Sequence, residues 1–409
     1  MELGARLAVA VEKMSAETLV NTQAEFPPPS EGTRDRRYRL RAAAAKVGYG
    51  RVRRCGRKRV SLTVQIRNHD GVCSASGFET CGSIWSCPVC AAKISEVRRQ
   101  EVRKAMLGCS EAGGAVYMMA FTAPHYRGQG LRGLKDRMGL AWRKMLSGAP
   151  WGRLRGDMGL IGYIKGLEVT HGIKNGWHPH FHILFFLEKP LTEQEREKFE
   201  WKLFNRWDQI VCEAGSDPCN FAVFKLEQAH TPEAAGDYVA KFGSDYEITH
   251  LHTKAAKGGG RSPWALLDLS AKGYQEAGKR FGEYSRAMFG ARQLTWSKGL
   301  KDLYRVSDPS DEDVAETNHG DVVITLDGKE VDEVQRAGYR CFLAMLRAAE
   351  TGGAVAVRAF LRDFGLGRRS DDLRAFRSQY YGETDNDDKG EFAGRAPASK
   401  RDMAVHGVH

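Results

Sequence analysis

The 409-residue chain has no run of eighteen or more apolar residues, so nothing in it reads as a membrane-spanning helix. Its first thirty residues lack the basic, apolar and small-residue order of a secretory signal and carry acidic and polar groups instead; a cytoplasmic location is expected. Acidic side chains are almost missing from residues 33 to 60, where twelve Lys or Arg from Arg34 to Arg59 accompany the single acid Asp35. With a formal net charge of +11, that density suits a polyanionic partner, the plain alternative being a solvated helix surface. Apolar material is not scarce. At 42% hydrophobic residues the chain can fill the cores of two or three domains, which excludes a disordered protein.

Nine cysteines in a cytoplasmic chain are expected as thiols or metal ligands, not disulfides. Five lie between Cys55 and Cys90. Val60, Leu62, Val64 and Ile66 alternate ahead of Asn68-His69-Asp70-Gly71, and small residues follow, which is the pattern of a hairpin from Lys58 to Phe78. Residues near 58 and 81 then lie opposite each other, bringing Cys55 towards Cys81. Cys87-Pro88-Val89-Cys90 begins six residues after Cys81, so four thiolates can converge on a structural Zn²⁺. Cys73 lies several strand residues away and reads as a buried apolar side chain. Cys109, Cys212, Cys219 and Cys341, without partners at ligand spacing, read the same way.

From residue 111 the periodicity orders the elements. Val116 to Thr122 is a strand, Leu131 to Leu146 has helical spacing, and Leu160 to Thr170 and His178 to Leu187 are strands. Thr192-Glu193-Gln194-Glu195 is a capping box opening a helix to about Ala214, and Phe221 to Glu227 alternates as a last strand. The order β-α-β-β-α-β predicts an α+β fold with a split βαβ antiparallel sheet, ferredoxin-like or RRM-like, whose strand after the hairpin is central. Thr231 and Pro232 begin a further helix through Tyr238 and Lys241 to about Phe242.

Alternation puts His178, His180 and His182 on one strand face, with Phe181, Ile183 and Phe185 on the other. If residues 172 to 176 are the whole connection, His171 pairs with Trp177 and Glu168 falls opposite His180. Two imidazoles, a carboxylate and open positions suit a catalytic Mg²⁺ or Mn²⁺; Zn²⁺ on three histidines is the alternative. Tyr238 and Lys241, three apart, share a helix face. A phenol with a pKa of about 10 attacks a phosphate only where a metal polarises the target and a cation stabilises the phenolate. Such attack would displace a 3′-hydroxyl and leave a 5′-phosphotyrosine.

His180-Phe181-His182 resembles the His-hydrophobe-His signature of the HUH endonucleases, and Tyr238-Val239-Ala240-Lys241 resembles the plasmid and phage rolling-circle replication initiators. Met119-Ala120-Phe121-Thr122-Ala123-Pro124-His125 is similar to the first motif of that family, and the segment Cys81 to Cys90 resembles a cysteine module of its plasmid members. Ser262-Pro263-Trp264 and Trp296-Ser297-Lys298-Gly299-Leu300 look like segments that follow the nuclease core, so the resemblance covers roughly residues 50 to 305. It implies His180 and His182 as metal ligands, Tyr238 as nucleophile and Lys241 as its assistant, while Glu168 rests on the register argument as well. Single-stranded and hairpin or duplex origin DNA are the implied partners, with a host helicase. Phe242 stands where some initiators carry a second tyrosine; Tyr246 is the runner-up nucleophile, and Asp237 and Glu233 are candidate bases.

The expected organisation is a disordered segment 1–32, a basic arm and zinc-binding cysteine module 33–110, an HUH nuclease domain 111–270, a mainly helical C-terminal module 271–370 and a disordered tail 371–409. Lys254, Lys257 and Arg261 around Gly258-Gly259-Gly260 read as a basic loop over DNA or a linker. Val331 to Ala349 and Ala354 to Phe364 read as helices. The expected activity is site- and strand-specific nicking and strand transfer at an origin. A relaxase or transposase of the same chemistry and a non-catalytic zinc-dependent DNA-binding regulator are the alternatives.

Overall fold

The computed structural model describes residues 31–229 and 260–369. A helix α1 (Glu31–Val47) leads into a hairpin of β1 (Thr63–His69) and β2 (Val72–Ser76), and a long α2 (Pro88–Glu111) follows. Asp70 and Gly71 turn the hairpin with φ of 51° and 80°, the two left-handed conformations that a tight two-residue turn requires. Then come β3 (Ala115–Phe121), α3 (Leu131–Met145), α4 (Gly148–Asp157), β4 (Leu160–Gly172), β5 (Gly176–Leu187), α5 (Glu193–Glu213) and β6 (Glu227–Gln228). Further on are β7 (Gly260–Arg261), α6 (Pro263–Ala271), α7 (Gln275–Ala287) and β8 (Leu294–Trp296). The main sheet is antiparallel in the order β6-β3-β5-β4-β7, with β8 also on β4, so β5 has a neighbour along both edges.

The two faces of β5 bury different things. Trp177, Phe181, Ile183, Phe185 and Leu187 join the main core under α3 and α5, where Phe121 meets Trp142, Trp207 and Phe224 with ring centroids 5.2 to 6.0 Å apart. On the opposite face Leu184 and Phe186 pack in a second cluster with Val102, Ala105 and Met106 of α2. Further along that face stand His182, His180 and His178. One strand face thus changes from apolar to polar within three positions.

The capping box of α5 is present, Thr192 Oγ1 accepting from the Glu195 amide at 3.3 Å and Glu195 Oε2 from the Thr192 amide at 2.8 Å. The last strand is shorter than the alternation predicts. Phe221–Val223 is a 3-10 turn, because Asn220 Oδ1 accepts from the Ala222 amide at 3.0 Å and the Phe221 ring packs on Trp201 and Phe204. The Leu226 amide then donates to Glu200 at 2.7 Å, so only Glu227 and Gln228 reach the ladder.

A second sheet has the order β2-β1-β9, where β9 (Asp321–Asp327) pairs with β1 from some 250 residues downstream. Val64, Ile66, Cys73 and Leu326 share its core with Phe342 and Leu346 of a helix α8 (Tyr339–Arg369), which kinks at Gly352 and Gly353. That helix is tied to α1 by the ion pairs Arg34–Glu350 and Arg347–Asp35. Segments 33–110 and 271–370 therefore share one core. No helix among the described residues is long and apolar enough to cross a membrane.

Candidate metal centres

β4 and β5 pair with His171 opposite Trp177, Glu168 opposite His180 and Gly166 opposite His182. That is the register set by the short loop. Because Gly166 has no side chain, nothing on β4 screens His182 from the carboxylate two positions along. Glu168 Oε2 lies 3.1 Å from His180 Nε2 and 3.1 Å from His182 Nε2, so one oxygen faces two imidazoles. Burial alone would raise the Glu168 carboxyl, but the bonds from His180 and His182 override it and hold it well below the usual carboxylate range. Burial would lower His180, yet Glu168 holds it above its ordinary value; at His182 burial wins and the imidazole is held low. Three ligand atoms converging from a rigid strand pair suit a divalent cation that keeps open positions.

His178 does not join them. Its Nε2 is 2.7 Å from Thr122 Oγ1, and its ring stacks between His125 and His180 with centroids 4.6 and 4.8 Å away. Burial and the neighbouring imidazoles push it down to about 3. The converging set is therefore Glu-His-His and not three histidines. Thr122, which holds the third ring, was visible in the sequence only as part of the strand-borne motif.

Cys55, Cys81, Cys87 and Cys90 form the second group. Their Sγ atoms lie 3.5 Å (Cys55–Cys90), 3.6 Å (Cys55–Cys87) and 3.8 Å (Cys81–Cys90) apart. Four thiolates at about 2.3 Å from one tetrahedral ion are separated by about 3.8 Å, so the donor set fits such an ion. Cys87 is the N-cap of α2 and Cys90 lies in its first turn; hydrogen bonds from the neighbouring thiols hold Cys90 well below its ordinary value while Cys87 is held above its own. All four are buried without a disulfide. Lys93, one turn on from Cys90 and absent from the sequence-based site, donates to the carbonyls of Ala315 and Thr317 at 3.3 and 3.1 Å and faces the thiols. Cys73 lies in the core of the smaller sheet, apart from this group.

Tyr238, Lys241, Tyr246, Phe242, Asp237, Glu233, Lys254 and Lys257 lie outside the described residues. The flanking strands β6 and β7 are at opposite edges of the main sheet, and β7 pairs with β4 at His171 and Gly172.

A family model described as "Replication protein" matches residues 78–345. A protein named "Protein rep" from Streptomyces lividans is 28% identical over 294 residues, 56% of this chain and 64% of its own length. A second relative, named "Neomycin resistance protein", from Streptomyces cyanogenus, is 34% identical over 157 residues, 32% of this chain and 36% of its own length. The chain thus spans less than two thirds of the length of either. No solved structure matches.

Proposed function

The chain belongs to the replication protein family, and from that premise we propose that it initiates plasmid rolling-circle replication by nicking one strand of an origin through an HUH-type site. The observation that carries this reading is the single Glu168 oxygen shared at 3.1 Å by the Nε2 atoms of His180 and His182. Within the six-stranded main sheet the order β6-β3-β5-β4 supports this reading, since a split βαβ core would have its third strand between the first and second.

Glu168, His180 and His182 would hold Mg²⁺ or Mn²⁺, which supplies polarisation of the scissile phosphate. Tyr238 Oη then forms the new P–O bond, its proton passes to a base, and the bond to the 3′-oxygen breaks. The products are a free 3′-hydroxyl and a 5′-phosphotyrosine that stores the bond for rejoining. Lys241 stabilises the phenolate. Cys55, Cys81, Cys87 and Cys90 would hold Zn²⁺ as a structural ion, next to the basic segment that recognises duplex or hairpin DNA. A separate helicase opens the duplex ahead of the released 3′ end.

The test is incubation with labelled single-stranded origin DNA and Mn²⁺. A covalent adduct that disappears in Tyr238→Phe is expected. Tight binding without adduct would replace this reading with a zinc-dependent DNA-binding regulator, and cleavage without adduct with a plain metal nuclease.

A further inference from the structure

Large aromatic side chains rarely stand exposed in contact with each other, yet Tyr49 and Phe289 are 48% and 65% exposed with ring centroids 5.3 Å apart at 87°. The pair is built from two distant segments. Tyr49 precedes the 3-10 turn Gly50–Arg53, and Phe289 lies just beyond α7. Gly50 has φ of 73°, and a Cβ there would stand 3.1 Å from Phe289 Cε2, so the backbone fits closely beneath the ring.

Both partners are tied to the four-thiol knuckle. The Tyr49 amide donates to Ser285 Oγ at 2.8 Å, and Ser285 Oγ is 2.8 Å from Ser86 Oγ, next to Cys87. Trp85 Nε1 donates to the Ala291 carbonyl at 2.7 Å, fixing the turn that carries Phe289. The two segments that carry the rings are basic, although Glu79 from outside them pairs with Arg51 and Arg54. No acid occurs between Asp35 and Asp70 or between Glu283 and Asp302. Arg53, Arg286 and Arg292 are exposed, and among the described residues none of them has a carboxylate ion pair.

We propose that Tyr49 and Phe289 are a stacking platform for unpaired bases of single-stranded DNA, with Arg53, Arg286 and Arg292 meeting the flanking phosphates. Bases stack on exposed aromatic rings whatever their sequence, and guanidinium groups supply the charge that the backbone needs. An edge-to-face pair leaves an open ring face for a base. The inference rests on the DNA-processing reading, but none of its residues is a proposed metal ligand or nucleophile.

The test uses the full chain, without added Mg²⁺ or Mn²⁺, and a single-stranded oligonucleotide carrying 2-aminopurine. Quenching on binding is expected, and Tyr49→Ala or Phe289→Ala should weaken binding roughly 5- to 150-fold, the range for one lost base stack. The salt dependence should stay the same, because no phosphate contact is removed, and affinity for blunt duplex should be unaffected. Phe289→Trp should retain binding, which separates stacking from misfolding; Phe289→Leu, checked by its melting curve, should not. Tyr238→Phe should quench as the parent does, so failure of the nicking chemistry leaves this result readable. Unchanged quenching and affinity in the double variant would overturn the proposal. So would loss of self-association in that variant without loss of DNA binding, which would make the pair a contact between two copies.

Discussion

Glu168, His180 and His182 rise from two paired strands, whereas Cys55, Cys81, Cys87 and Cys90 converge from loops and a helix start. In the first group Glu168 and His180 side chains keep 26% and 13% of their surface in solvent; in the second the residues keep 7% or less. The sheet holds its donors in place through backbone hydrogen bonds, so it can leave a cation's outer positions free for a substrate. The segments carrying Cys55 and Cys81 are joined by short backbone bonds, Gly56 to Glu79 and Glu79 to Lys58, at 2.7 Å each, and an ion shared by the four buried thiols would close the rest. An open, pre-built centre and a closed, ligand-built one should respond oppositely to loss of a donor.

The largest effect should come from the closed centre. Cys90→Ser is expected to cost about 4 kcal/mol or more of stability, with loss of one bound zinc per chain, read by thermal melting and metal analysis. A melting curve like the parent's would erase the contrast. At the open centre, Glu168→Gln or His182→Ala should slow adduct formation by about 100-fold or more while shifting stability by only about 1 kcal/mol. Equal activity of Glu168→Gln and the parent in Mn²⁺ would remove Glu168 from the ligand set.

A pH series sharpens the contrast further. Glu168 is held below its ordinary value, so it adds stability above about pH 4.3 that is lost as pH falls through its folded value. His180 is held above its ordinary value, so its contribution is full below about pH 6.5 and fades as pH rises through its folded value. His182, held low, works in the opposite sense and takes stability away at acid pH. Together Glu168 and His180 stabilise the metal-free protein most between about pH 4.3 and 6.5, while Mn²⁺ needs a bare His180 and should bind up to about tenfold tighter per pH unit until the pH passes the folded value of His180, where the gain levels off. Calorimetric titration from pH 5.5 to 8 measures this; a flat affinity would count against imidazole ligation. The smallest effect belongs to a control distant from both centres. Thr192→Ala, which removes the α5 cap, should cost about 1 kcal/mol and leave metal content unchanged.

Local features of this fold were legible in the sequence. The strand and helix order from Val116 to Ala214 follows from periodicity except for α4 (Gly148–Asp157), which was not read, and the Glu168–His180 pairing follows from counting a loop, since a hairpin's register is set by its turn. The cysteine quartet came from the same kind of count around Asp70-Gly71. What was not legible depends on partners far along the chain. Nothing in Asp321 to Asp327 announces that it will pair with Thr63 to Asn68, and residues 331 to 349, read as one helix, are interrupted at Gly338, with φ of 109°. At Phe221 the alternation was real, but side chains from Glu200 and Asn220 took the backbone amides that a longer strand would have used. His178 shows the same limit within the site: its face was correct, and only the fold reveals that Thr122 occupies its Nε2.

The pairing of β1 with β9 also sets a timetable for synthesis. A ribosome adding 5–20 residues per second takes roughly 10–50 s to travel from one strand to the other, and throughout that interval the hairpin's outer edge has unpaired amides and carbonyls. Nascent chains on one message would present the same bare edge to each other, so crowding on the polysome favours edge-to-edge misassembly.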